Sequence, residues 1–155
     1  MKKLIAALLL ATALVAPGVA MAREVTVSTI MANYSGNAAY LAVYVTKPDG
    51  TYDSTLWVSG TKQRFLGELQ GWVSAVQTAG SLNLDGITGA SVGGGQTLTV
   101  HADLADAMID AGYKVHVETA VEHGGEYPDD AVVTLSSTAQ PVAGNGYVAA
   151  LKVSM

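Results

Sequence analysis

The sequence predicts a mainly β fold, an antiparallel two-sheet sandwich with one or two short helices. Three observations carry this expectation. Seven short stretches rich in Val, Thr and Tyr read as strands, and those at 25–30, 96–101 and 113–122 alternate with period two. Turn residues separate these stretches at short intervals. One stretch of a different character repeats its apolar residues at three and four. Such a series suits an immunoglobulin-like layout, with the helix at one end or across an open edge.

Taken in order, residues 25–30 form the first β-branched alternating run, and Asn33 to Asn37, with Gly36, make a turn. Residues 40–46 form a second strand. Lys47-Pro48-Asp49-Gly50-Thr51 is a turn in which Pro presets φ and Gly accepts a positive φ, so residues 54–59 return as the other arm of a hairpin. Residues 62–76 place Phe65, Leu66, Leu69, Trp72, Val73 and Val76 on one helical face, weakened by Gly67 and Gly71. Residues 80–95 are Gly-rich and read as a loop. Strands are expected at 96–101, 113–122, 131–136 and 147–153, a short helix at 103–110 capped by Asp103, and a turn at 123–130.

Composition bounds the function. The chain has 155 residues, half of them hydrophobic and 14% charged, which suits one domain with a real core. It has no cysteine, which excludes disulfides, thiolate–zinc sites, iron–sulfur clusters and thioether haem. Lys2 and Lys3, an apolar run from 4 to 16, the Pro17-Gly18 break and the small residues Ala20 and Ala22 read as a secretory signal peptide over residues 1–22. A single domain over 23–155 would then work in the periplasm. Removing Lys2 and Lys3 leaves six basic against 13 acidic residues, a net charge of −7. That charge, with no basic cluster, argues against nucleic acid and anionic lipid as partners.

The chemistry concentrates in Asp85-Gly86-Ile87-Thr88-Gly89-Ala90-Ser91 and the Gly93-Gly94-Gly95 run behind it. A hydroxyl set between glycines, with no base spaced beside it, suits a substrate of another enzyme better than a catalytic nucleophile. Elsewhere the signals are weak. His101, His116 and His123 lack metal-ligand spacing, and His116, alternating opposite the valines, is expected to face solvent. Asp103, Asp106 and Asp110 would share one face of the expected short helix, without the pattern of a calcium loop.

Asp85, Thr88, Gly89, Ala90 and Ser91 resemble the acceptor motif Asp-x-x-(Ser/Thr)-Gly-Ala-(Ser/Thr) of proteins flavinylated outside the cytoplasm. The familiar examples are the flavin-bearing subunits of sodium-pumping quinone reductases and Rnf-type complexes. The resemblance implies that a flavin transferase moves the FMN part of FAD onto the last hydroxyl, here Ser91, as a phosphoester. Thr88 would belong to the recognition sequence. Threonine is the commoner acceptor in that class, and serine here is a variant. Asp85 would either be read by the transferase or cap the turn. The amides of Gly86, Gly89 and Gly93 to Gly95 are candidates to cradle the phosphodiester. Trp57 and Trp72 are candidates to stack on the ring, with the core as the other place for either.

A second resemblance covers most of 40–125. Tyr40-Leu41-Ala42-Val43-Tyr44-Val45, Asp49-Gly50-Thr51-Tyr52, Thr55-Leu56-Trp57-Val58, Leu69-x-x-Trp72, Gly112-Tyr113-x-Val115-x-Val117-Glu118 and Glu122-His123-Gly124-Gly125 are similar to the periplasmic domain-of-unknown-function family 2271. A departure lies at His101-Ala102-Asp103, where the family more often has a Trp-Asp-Gly turn. The resemblance implies a flavin carrier in periplasmic electron transfer, with a PepSY-type or cytochrome partner in the membrane. Two other readings stand beside it. One is a non-redox secreted binding or adhesion module. The other is an oxidoreductase whose flavin works on a small substrate.

Overall fold

The computed structural model describes residues 20–60, 66–80 and 82–155. The expected signal segment falls largely outside the described residues, and so does the start of the expected helix at 62–65. Among the described residues, eight strands form two sheets: β1 (Ala22–Met31), β2 (Tyr40–Thr46), β3 (Tyr52–Ser59), β4 (Thr88–Gly89), β5 (Thr97–Ala105), β6 (Lys114–Val121), β7 (Gly125–Thr134) and β8 (Val148–Ser154). One sheet has the order β5-β1-β8 and the other β4-β3-β2-β6-β7. All pairings are antiparallel except β3 with β4. The β-sandwich expectation therefore holds.

The alternation read from sequence is what builds the core. Val25 and Val27 of β1, Val100 of β5 and Val153 of β8 face Leu41, Val43, Val45, Val115, Val117 and Val133 across the two sheets, and all are buried. Residues of β2 that point the other way, Ala42 and Tyr44, are buried as well. They meet α1 (Gln70–Ala79) through Leu69, Trp72 and Val76. The helix thus lies on the outer face of the five-stranded sheet, not at an end or across an edge as the sequence suggested. This third layer explains why β2 reads as a nearly unbroken apolar run, since a strand covered on both faces has no polar side.

Of the helix expected over 62–76, Leu66 is helical, residues 67–69 interrupt it, and α1 starts at Gln70, where partners far away in sequence hold its first amides. Glu126 accepts from the Gln70 amide at 2.8 Å. Glu118 accepts from Gly71 at 3.0 Å and Trp72 at 2.5 Å. The residue before the helix, Leu69, offers no side-chain cap, so the carboxyl oxygens of Glu118 and Glu126 take its place. Gly71 is required by the approach itself. A Cβ there would sit 2.9 Å from Glu118 Oε2 and 3.0 Å from Pro128 Cβ. Gly71→Ala should therefore destabilise by about 1–2 kcal/mol in denaturant melts, overriding the 0.5–1 kcal/mol that helix propensity alone would return.

Burial pushes the Glu118 carboxyl up to about 8, and the hydrogen bond to Glu126 adds to the rise while the Trp72 and Gly71 amides oppose it. A carboxyl raised in the folded state stabilises fully below its unfolded value, about 4.3. That contribution is lost as pH climbs through about 8. The melting temperature should fall between pH 5 and pH 9. Glu118→Gln should flatten that slope, and thermal melts of both proteins across the range check it.

Two further expectations are corrected. Residues 103–110 are not a helix. Strand β5 runs on to Ala105 because β1 extends far enough to pair Glu24 with Asp103, Arg23 with Leu104 and Ala22 with Ala105. Only a single 3-10 turn, Asp106–Met108, follows. The acidic set is accordingly dispersed: Asp106 pairs with Arg23 at 3.0 Å, and Asp110 accepts from Ser136 and Ser137. The expected turn at 123–130 is mostly strand, since β7 starts at Gly125. Its partner register jumps from Val117↔Ala131 to Thr119↔Tyr127, a bulge that accommodates Pro128 within the strand.

Candidate functional site

The stretch from Asp85 to Ser91 lies at the β4 edge of the five-stranded sheet. It starts with a β-turn in which the Ile87 amide donates to the Leu84 carbonyl at 3.3 Å and Gly86 takes φ 75°. Asn83 closes this turn by accepting the Asp85 amide at 3.0 Å. The turn cap is therefore Asn83, and the Asp85 side chain stays exposed. A cleft of about 370 Å³ beside it is walled by Tyr52, Asp53, Asn83 and Ile87.

Thr88 and Gly89 form β4, where a loop was expected. They pair in parallel with Val58 and Ser59. Val58 donates to the Ile87 carbonyl at 2.9 Å and Gly60 to the Gly89 carbonyl at 2.6 Å. Both Thr88 and Gly89 are half-buried. Three residues later the chain is pinned again. Val92 and Ala39 exchange two backbone hydrogen bonds, at 2.8 and 2.9 Å, and the Val92 side chain enters the main core. The Tyr34 hydroxyl fastens the same spot, donating to the Val92 carbonyl at 3.1 Å and accepting from the Ala39 amide at 3.0 Å. Burial raises the Tyr34 phenol above its ordinary value, so it remains a donor at neutral pH.

Ala90 and Ser91 are thus the two exposed residues of an arch held at both feet. Among the described residues, nothing accepts from the Ala90 or Ser91 amide, and nothing bonds the Ser91 hydroxyl. The cradle proposed for Gly93 to Gly95 is corrected in part. The Gly93 amide is taken by Gln96 Oε1 at 2.8 Å and the Gly95 amide by the Ala32 carbonyl at 3.0 Å. Those donors are engaged in the fold, which leaves the arch's own amides nearest to Ser91.

The two tryptophans separate. Trp72 is 1% exposed and donates from Nε1 to Thr55 Oγ1 at 2.9 Å, so it belongs to the core under α1. Trp57 is half-buried and lies against the motif: a Cβ on Gly89 would be 2.7 Å from its ring. His116 does alternate opposite the valines, but the outer face is covered there. It stacks on Tyr44 with centroids 5.0 Å apart, and its nitrogens meet Asp129 at 2.8 Å and Thr46 at 2.9 Å. His101 instead sits on exposed β5, 3.1 Å from Thr26 Oγ1. The His101-Ala102-Asp103 departure is simply strand, paired with Thr26, Val25 and Glu24.

The sequence carried no sign of the Tyr34 clamp or of the two-residue β4. Both rest on partners distant in the chain, Val92 for the tyrosine and Val58 for the strand.

Residues 22–150 match the family model described as predicted periplasmic protein, DUF2271. The chain belongs to this family. Its members are described as periplasmic, which agrees with the location read from the signal segment. No curated protein and no solved structure matches the chain. Within this DUF2271 domain the site is an exposed serine on a pinned arch, preceded by a half-buried threonine and an exposed aspartate.

Proposed function

We propose that the protein is a periplasmic electron carrier with FMN bound covalently through a phosphoester at Ser91. The observation that supports this reading is the placement of Ser91. Its hydroxyl is exposed and unengaged among the described residues, at the end of an Asp-x-x-Thr-Gly-Ala-Ser sequence. An acceptor for a separate transferase has to be reachable, and an arch of two residues held at both feet presents the hydroxyl without the entropy of an open loop.

In the transfer reaction the Ser91 oxygen bonds to the FMN phosphorus as the pyrophosphate bond of FAD breaks. Ser91 gives up its proton and AMP leaves. The chain needs no base of its own, because the transferase supplies it. The product phosphodiester carries one negative charge, and the reading assigns it to the Ala90 and Ser91 amides, which donate to no described group. Thr88, half-buried in β4, and Asp85, exposed on the preceding turn, are the two side chains of the motif offered for recognition. When bound, the flavin supplies one- and two-electron chemistry, and the protein supplies position and electrostatics. Tethering keeps it from dilution outside the cytoplasm and near a membrane redox partner.

The test is periplasmic expression with and without an active flavin transferase. The expected result is yellow protein and a fluorescent gel band only with the transferase. Colourless, non-fluorescent protein beside a flavinylated control acceptor in the same cells overturns the reading.

A further inference from the structure

We propose that Trp57 is the aromatic wall against which a flavin ring carried by Ser91 rests, and that its indole is what demands glycine at position 89. The inference rests on attachment at Ser91.

Trp57 sits on the inner face of β3, in register with Val43 of β2. Its outer neighbour, β4, is only two residues long. The indole therefore reaches the sandwich margin with little sheet beyond it, and it is half-buried where a core tryptophan would be enclosed. It packs on the main core from that margin. Its ring passes directly over the Gly89 backbone. A Cβ at Gly89 would lie 2.7 Å from Cζ2, 2.9 Å from Nε1 and 3.0 Å from Cε2. Such distances leave no room for a side chain of any kind. The motif's glycine thus has a physical cause in this chain: it lets the indole and the acceptor strand touch.

Two more observations point outward from this contact. Gly89 precedes Ser91 by two residues, so extended chain places the acceptor within about 7 Å of the contact. The Trp57 Nε1–H donates to no described group. A partly buried indole N–H ordinarily finds an acceptor. This donor, unmatched among the described residues, lies beside the strand residue that leads to Ser91. A group fixed at Ser91 thus meets an apolar ring face and one hydrogen-bond donor on the same side chain. Trp72 offers neither, because its face is buried and its Nε1–H is bonded to Thr55.

The readout is emission from the covalent flavin. An indole in contact quenches a flavin's fluorescence by transient electron transfer from ring to ring, the electron returning within the same pair. Wild type and Trp57→Phe are loaded by the same transferase, and flavin content is equalised by mass and absorbance. Emission per flavin is expected to rise several-fold in Trp57→Phe, with a longer lifetime. Equal emission from two fully loaded proteins overturns the wall while leaving attachment at Ser91 standing. Absence of flavin on wild type overturns both. A second measurement needs no variant. Unfolding loaded wild type in guanidinium should release the ring and raise emission by a similar factor, and a flat response overturns the proposal. Gly89→Ala should displace the indole and raise emission as Trp57→Phe does; unaltered emission from loaded Gly89→Ala contradicts the shared cause.

Discussion

Ser91→Ala is expected to lose flavin attachment completely, with no change in fold. The residue is exposed and its hydroxyl is bonded to nothing among the described residues, so its removal leaves no buried polar group behind. The stability of the variant should lie within about 0.5 kcal/mol of wild type. Attachment is a different matter, because one oxygen forms the bond. Thr88 cannot stand in for it in the same arrangement. It is half-buried and held in β4 by the hydrogen bonds on either side of it, Val58 to Ile87 and Gly60 to Gly89. Intact-mass measurement of Ser91→Ala, Thr88→Ala and wild type, each expressed with the transferase, separates the roles. Wild type gains FMN less one water, Ser91→Ala gains nothing, and Thr88→Ala gains less than wild type. A full gain on Ser91→Ala moves the attachment point elsewhere.

Asp130→Asn is expected to cost about 3–5 kcal/mol. The Asp130 carboxylate is buried and accepts five hydrogen bonds. Asn145 and Gly146 amides reach Oδ1 at 3.0 and 2.8 Å. Tyr147 and Val148 amides and the Thr119 hydroxyl reach Oδ2 at 2.7, 3.1 and 2.5 Å. All five partners are donors. An asparagine must turn its own NH2 toward some of them, replacing attraction by a clash of hydrogens. This one side chain ties β7 of one sheet to the chain entering β8 of the other, so the substitution loosens that corner of the sandwich. For a chain of this size such a loss lowers the melting temperature by roughly 10 °C. Chemical denaturation should show a lower midpoint with an unchanged slope. A midpoint within error of wild type contradicts the role.

Why Asp130 was invisible in the sequence is instructive. Glu126-Tyr127-Pro128-Asp129-Asp130 looks like a turn by its residue types, and the donors to Asp130 lie 15 to 18 residues downstream or, for Thr119, 11 upstream. Residue type and near spacing cannot report a partner at that range. The same limit applies to α1. Its apolar face was legible through Leu69, Trp72, Val73 and Val76, but its starting point depends on Glu118 and Glu126. The strands were legible because each faces a core on one side and so alternates. β2 departed from alternation, and that departure was the one local hint of a third layer. The candidate site was legible as a string of residues from Asp85 to Ser91, since its chemistry is local. Its shape was not, because the arch is made by Val58, Ala39 and Tyr34, and the indole over Gly89 comes from 32 positions earlier in the chain.

The electron-carrier reading stands or falls on what is bonded to one oxygen atom. Trypsin cuts after Arg64 and Lys114, so residues 65–114 leave as a single peptide that contains Ser91. After periplasmic expression with an active transferase, fragmentation of that peptide should place one FMN less one water on Ser91 and leave Thr88 bare. An unmodified peptide, from cells whose control acceptor carries flavin, would contradict the account.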